Sequence, residues 1–197
     1  MNSITNKFPM SSVSEIENCS ARALRRACLW CLALVATGAL GGFNCMAADK
    51  AIRINAGAIA PWTDSSGNSW LPDQGFDGGK TVDRGSIEIA GTRTPDVYRT
   101  EHYSMKSFSQ AVPNGAYTVK LHFAETSPKI TAKGKRVFSV KVEDQEIKDL
   151  DVVAKAGAPK TALVETVNVK VADGKLDIAF TPGVQSPEIN GIEILPQ

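Results

Sequence analysis

Asp64, Asp73, Asp77, Glu101 and Glu125 are the carboxylates that acid–base chemistry would draw on. Glycoside hydrolysis needs two carboxyl groups held about 5–10 Å apart, and the spacing of these five along the chain pairs none of them. The sequence has no G-x-S-x-G elbow, no catalytic cysteine and no glycine-rich phosphate loop before a helix. The chain therefore reads as a non-enzyme. Asp73-Gln-Gly-Phe-Asp77-Gly78 opens like a calcium loop, but Gly75 and Arg84 stand at the third and twelfth positions, where oxygen ligands are required. His102 and His122 are the only histidines and lack H-x-x-x-H spacing, so they read as strand or surface residues rather than metal ligands. No metal site and no cofactor is expected.

Recognition chemistry has better material. In Val97-Tyr-Arg-Thr-Glu-His-Tyr-Ser-Met105 an extended chain puts Tyr98, Thr100, His102 and Ser104 on one side, and Arg99, Glu101 and Tyr103 on the other. Aromatic rings stack on the C–H faces of a pyranose while charged groups bond its hydroxyls. The plainer reading is one core tyrosine beside a solvated ion pair of little energetic weight, and residue types alone favour it. Trp62, Trp70 and Phe76 lie in a loop-rich stretch and are further stacking candidates, with core packing equally in view for the tryptophans. The net charge of +1 gives no electrostatic argument for nucleic acid or an anionic membrane.

These side chains need a scaffold, and the second half of the chain describes one. Tyr117, Val119, Leu121 and Phe123 alternate with Thr118, Lys120 and His122. Phe138, Val140 and Val142 repeat the two-residue period, as do Val167, Val169 and Val171, then Leu176, Ile178 and Phe180, then Ile192 and Ile194. Pro113-Asn-Gly115, Ala172-Asp-Gly-Lys175 and Thr181-Pro-Gly183 supply turns between the runs. Short strands at this spacing indicate an all-β sandwich or barrel. Ile52–Asn55 is strand-like; the following stretch to Arg84 shows no alternation and reads as a long irregular segment. No helical periodicity follows residue 49. The 43% hydrophobic content suffices for one folded domain within 197 residues.

The first 48 residues read as an export signal. Arg22, Arg25 and Arg26 precede the apolar run Cys28–Leu40, which is short for a membrane span, and Cys45-Met-Ala-Ala48 offers a small-residue exit. All four cysteines, the C-x-x-C pair Cys28 and Cys31 included, lie in this segment as apolar residues rather than a redox or zinc site. Removing it takes four Lys/Arg from 22 and two Asp/Glu from 21, leaving 18 against 19 and a charge of −1. The expected domains are a signal segment over 1–48 and a folded domain over 49–197, secreted or periplasmic, with no membrane association beyond the signal.

Ile54-Asn-Ala-Gly57, Tyr98-Arg-Thr-Glu-His-Tyr103, Val119-Lys-Leu-His-Phe-Ala-Glu125, Arg136-Val-Phe-Ser-Val140, Lys148-Asp-Leu-Asp151 and Ile189-Asn-Gly-Ile-Glu-Ile194 together resemble malectin and malectin-like domains over about residues 51–196. The resemblance implies a jelly-roll β-sandwich with a groove of loops at one edge. It further implies binding of glucose-containing oligosaccharides, or service as an extracellular module with a protein partner. Tyr103 falls on a tyrosine that grips sugar in the animal protein of the family, and Phe76 stands in for another. The chain departs from that pattern at Ser127 and Pro128, which replace two adjacent aromatics, and at Gln185, which replaces an aspartate. The expected carbohydrate-binding residues are Tyr103, Tyr98, Phe76, Trp70, Glu101 and Gln185.

Overall fold

The computed structural model describes residues 50–197; the export segment expected over 1–48 lies outside the described residues. The described chain forms twelve strands: β1 (Ile52–Asn55), β2 (Trp62–Thr63), β3 (Ser69–Trp70), β4 (Phe76–Asp83), β5 (Thr100–Ala111), β6 (Gly115–Phe123), β7 (Val137–Val142), β8 (Gln145–Leu150), β9 (Leu163–Val171), β10 (Lys175–Val184), β11 (Glu188–Ile189) and β12 (Gly191–Pro196). One sheet runs β1-β12-β6-β9; the other runs β11-β5-β10-β7-β8, with β4 also paired to β5. The strand pairs of both sheets are antiparallel. The all-β reading holds.

The two-residue period decides what each strand buries. Tyr117, Val119, Leu121 and Phe123 of β6 meet Phe138, Val140 and Val142 of β7 and Leu176, Ile178 and Phe180 of β10 in one core drawn from both sheets. Phe123 and Phe138 touch across the sandwich with centroids 5.9 Å apart. Each such side chain contributes about 1.5–3 kcal/mol on leaving water. A second, smaller cluster of Trp70, Ile89, Val97, Tyr98 and Ala124 is flanked by Trp62.

Two signature asparagines clamp one end of the sandwich. The fully buried Asn190 accepts from the Ala124 amide at 2.6 Å and donates to the Thr100 carbonyl at 2.8 Å, fastening β6 to β5. Asn55 donates to the carbonyls of Val97 and Asn190 at 2.8 and 3.0 Å. At Gly57, φ is +82° and an added Cβ would meet the Glu101 carbonyl oxygen at 2.7 Å, so the chain passes there only without a side chain.

Local structure differs from the sequence reading at three places. The stretch expected to be irregular contains β4, an eight-residue strand whose Gly78 and Gly79 conceal the alternation. The chain expected to be extended through Tyr98 makes a 3-10 turn over Pro95–Tyr98, because Pro95 starts the turn. A five-residue helix, α1 (Val152–Ala156), is capped by the Asp151 side chain on the Ala154 amide at 2.9 Å and closed by Gly157 at φ 90°. It is too short to show a period in the sequence. Among the described residues no helix is long and apolar enough to cross a membrane.

Candidate functional site

A cleft of about 310 Å³ opens where β4, the start of β5, the loop after β6 and the chain before β11 converge. Val82, Arg84, Glu101, Tyr103, Ser127, Pro128, Lys129, Arg136, Gln185 and Ser186 line it. Of the residues named from the sequence, Tyr103, Glu101 and Gln185 meet here, together with Ser127 and Pro128. A larger depression of about 730 Å³ between Ile87–Ala90 and Pro159–Lys160 has no aromatic ring in its wall.

Strand geometry explains the meeting. Tyr103 on β5 lies directly opposite Lys80 of β4 and Glu188 of β11, and Glu101 lies opposite Val82. Cross-strand partners share a face, and Glu101 and Tyr103 are two residues apart on one strand. Gln185 is brought in by its backbone: φ is +65°, just past the irregularity that ends β10 between Pro182 and Val184. Left-handed backbone at a non-glycine residue is held in place by its surroundings and is frequent at ligand-contacting positions. Tyr103 is half-buried and Gln185 exposed.

Beneath the cleft lies a network of buried charge. Glu101, 2% exposed, accepts from Arg84 Nη2 at 2.6 Å and from the Thr126 hydroxyl. Glu125 accepts from Arg136 Nε at 2.7 Å and from the Ser127 amide at 3.0 Å, while Arg136 also donates to the Ser186 carbonyl. These bonds fix the loop that carries Ser127, Pro128 and Lys129. Burial pushes the Glu125 carboxyl up, and Arg136 offsets part of that rise. Glu188 is fully buried, and neither of its carboxyl oxygens has a hydrogen-bond partner among the described residues. Burial, then the charges of Glu125 and Glu101, drive it well above the ordinary carboxylate range. Glu101 and Glu125 accept hydrogen bonds from Arg84 and Arg136 respectively, whereas Glu188 of the same trio has none among the described residues.

The remaining sequence candidates lie elsewhere. Tyr98 is 2% exposed: the 3-10 turn directs it into the second cluster, where its hydroxyl meets His122 Nδ1 at 2.8 Å. Burial, reinforced by the charge of Glu193, pushes that hydroxyl up. His122 Nε2 reaches Glu193 at 3.0 Å, and Arg53 holds the same carboxylate at 2.7 Å. The carboxylate only accepts, so Nε2 donates to it, and Nδ1 shares its hydrogen bond with the Tyr98 hydroxyl. Burial raises Glu193, but His122 and Arg53 more than offset it and leave it below its ordinary value. Trp70 is 3% exposed, its indole donating to Asp64 at 3.0 Å. Neither ring offers a stacking face to a ligand, which corrects the expectation for both. His122, read as a residue of the polar side, is buried because this cluster covers its end of the sheet.

Phe76 pairs with Phe108, five residues along β5 from Tyr103, and is not among the residues that line the cleft. It stacks on His102 at 4.3 Å and packs on Phe108 at 5.1 Å, outside the cleft. His102 is itself buried between Asp73 at 2.9 Å and the Gly78 carbonyl at 2.9 Å. Both partners only accept, so both ring nitrogens donate and the ring is cationic. Burial lowers its pKa, but Asp73 and Gly78 together raise it above the ordinary histidine value. Among the described residues no group of three or more His, Cys, Asp or Glu is arranged to hold a metal ion.

Arg84, Lys129, Arg136 and Glu188 were not singled out by the sequence as site residues. Only their convergence across four chain segments gives them a place there, and no local motif announces it. Trp62 lines a separate cleft of about 410 Å³ with Asn55, Asp83, Gly85, Asp96, Arg99 and Thr100.

Residues 50–192 match the family described as the malectin domain. A probable receptor-like protein kinase of Arabidopsis thaliana is 30% identical over 175 residues, covering 78% of this chain and 20% of the kinase. Kinesin-like protein KIN-14E of Oryza sativa subsp. japonica is 29% identical, covering 81% and 16% respectively. The chain thus spans a fifth or less of the length of these relatives. Among solved structures, the plant receptor-like kinase FER, in complex with the plant peptide RALF23 and LLG2, aligns with a TM-score of 0.62 at 23% identity, over 74% of this chain and 48% of that one. A Bacteroides uniformis β-glucuronidase aligns at 0.68 and 22%, over 75% and 18%; at such identities these alignments speak to the fold. With the family matched over nearly all of the described residues, the chain belongs to the malectin domain family.

Proposed function

We propose that this protein is an exported, non-catalytic carbohydrate-binding module that takes glucose-containing oligosaccharides in the Tyr103 cleft. The observation that carries the reading is the half-buried Tyr103 ring standing in a cleft among Glu101, Arg84, Gln185 and Lys129. A pyranose stacked on that ring has hydrogen-bonding groups within the same cleft for its hydroxyls. The saturated hydrogen bonds of Glu101 and Glu125 keep the walls rigid, which lowers the ordering cost of binding. With one ring where animal family members have several, affinity is weak: each lost stacking ring weakens binding by about 1 kcal/mol, moving a micromolar site toward millimolar.

Calorimetric titration of the full chain with maltose and nigerose tests this. Binding at millimolar sugar from which Tyr103→Ala removes a site, with the melting temperature nearly unchanged, supports the reading. Absence of binding at those concentrations overturns it. A second reading, a protein-interaction module, draws on the FER structure with its peptide and LLG2; pull-down of a protein partner that sugar does not compete with favours it.

A further inference from the structure

We propose that the cleft at Trp62 is a second saccharide-binding site, separate from that of Tyr103. Trp62 and Trp70 face each other across the β2–β3 hairpin, with ring planes 10° apart and centroids 6.1 Å apart. Trp70 is core, so one face of Trp62 is backed by a fixed, buried ring. The Trp62 indole donates to Asn55 Oδ1 at 2.9 Å, and Asn55 is itself held by the Val97 and Asn190 carbonyls. The hairpin turn is equally fixed: Asp64 accepts from the amides of Ser66 and Asn68 and from the Trp70 indole. A half-buried indole pinned at its nitrogen and stacked on a buried ring is a pre-ordered platform at the wall of the cleft.

The rest of the cleft supplies what a sugar needs. Asp83 and Asp96 bring carboxylates beside the ring, and Arg99 brings a guanidinium that already donates to Asp96 and to the Ile87 carbonyl. Asp83 uses one oxygen on the Gly85 amide and keeps the other free among the described residues. Indole face plus carboxylate acceptors suits the C–H face and donating hydroxyls of a pyranose. The volume of about 410 Å³ falls in the range of small-molecule sites, about 300–1,000 Å³, and fits one or two sugar rings rather than a protein surface. Neighbouring residues on β4 and β5 point to opposite sides: Asp83 and Thr100 serve this cleft while Val82 and Glu101 serve the other. The same two strand ends therefore present two sites on two faces.

The test is calorimetric titration of the full chain with maltose and maltotetraose, combined with acrylamide quenching of tryptophan fluorescence. Two sugars per chain are expected, with Trp62→Ala and Tyr103→Ala each removing one. Sugar is expected to reduce quenching in the unsubstituted protein and to leave quenching unchanged in Trp62→Phe. Should Trp62→Ala lose its fold, the quenching difference decides alone. One sugar per chain, lost with Tyr103→Ala and giving no protection of Trp62, overturns this proposal and leaves the Tyr103 reading standing. One sugar per chain, lost only with Trp62→Ala, overturns the Tyr103 reading instead.

Discussion

Replacing Glu188 with methionine should make the protein more stable, against the usual direction of core substitutions. Glu188 is fully buried, and its oxygens have no hydrogen-bond partner among the described residues. Methionine nearly matches its shape and orphans nothing, since no group depends on the carboxyl. Leaving a buried polar group without a partner costs about 1–3 kcal/mol, and Glu188→Met recovers that amount. In a domain of this size each kcal/mol moves the melting temperature by about 2–4 °C, so a rise of several degrees at pH 7 is expected. The pH dependence is sharper. The folded carboxyl is raised by burial and by Glu125 and Glu101, so the folded state holds a proton that the unfolded state releases above about pH 4.3. Stability of the unsubstituted protein therefore falls as pH rises, by about 1.4 kcal/mol per unit from this group, until the folded value is passed. The advantage of Glu188→Met is smallest at pH 4 and grows toward pH 8; Glu188→Gln loses the slope while keeping an unpartnered dipole. Urea denaturation at pH 4, 6 and 8 measures both. A methionine variant less stable than its parent at pH 7, or an advantage independent of pH, would refute the reasoning.

Tyr98→Phe should cost about 1–3 kcal/mol by stranding His122 Nδ1, while sugar affinity by calorimetry stays unchanged; a loss of binding with stability intact would put Tyr98 back at a ligand. His102 is raised above its ordinary value by Asp73 and Gly78, so its contribution is fully present below about pH 6.5 and is lost as pH rises through the folded value. His102→Gln should lower stability at pH 6 by about 1–3 kcal/mol and flatten that part of the profile, which thermal melts between pH 5.5 and 8.5 would report.

Strands built from aliphatic alternation were plain in the sequence because period-2 burial is a local property. Tyr117–Phe123 and Leu176–Phe180 show it residue by residue. β4 was hidden because Gly78 and Gly79 have no side chains to alternate, and because an edge strand buries little. The Tyr98 segment misled for another reason. Pro95 turns the chain just before the strand, so a face count begun at Val97 assigns Tyr98 to a surface it never reaches. The cleft itself was half legible. Tyr103 and Gln185 were found through family likeness and Glu101 through its place beside Tyr103 on one strand face, whereas Arg84 and Glu188 join them only through β4–β5 and β11–β5 pairing, and Lys129 only through the loop after β6. Trp70 and Tyr98 illustrate a general ambiguity, since packing and ligand stacking select the same ring-bearing residues, and burial alone separates the two roles.

The most direct test of the central claim is amide chemical-shift mapping of the isotopically labelled full chain on addition of maltose or nigerose. Saturable shifts at Tyr103, Ser127, Lys129 and Gln185 that Tyr103→Ala removes are the predicted result. Millimolar sugar that leaves those four amides unmoved would contradict the assignment of the Tyr103 cleft to carbohydrate.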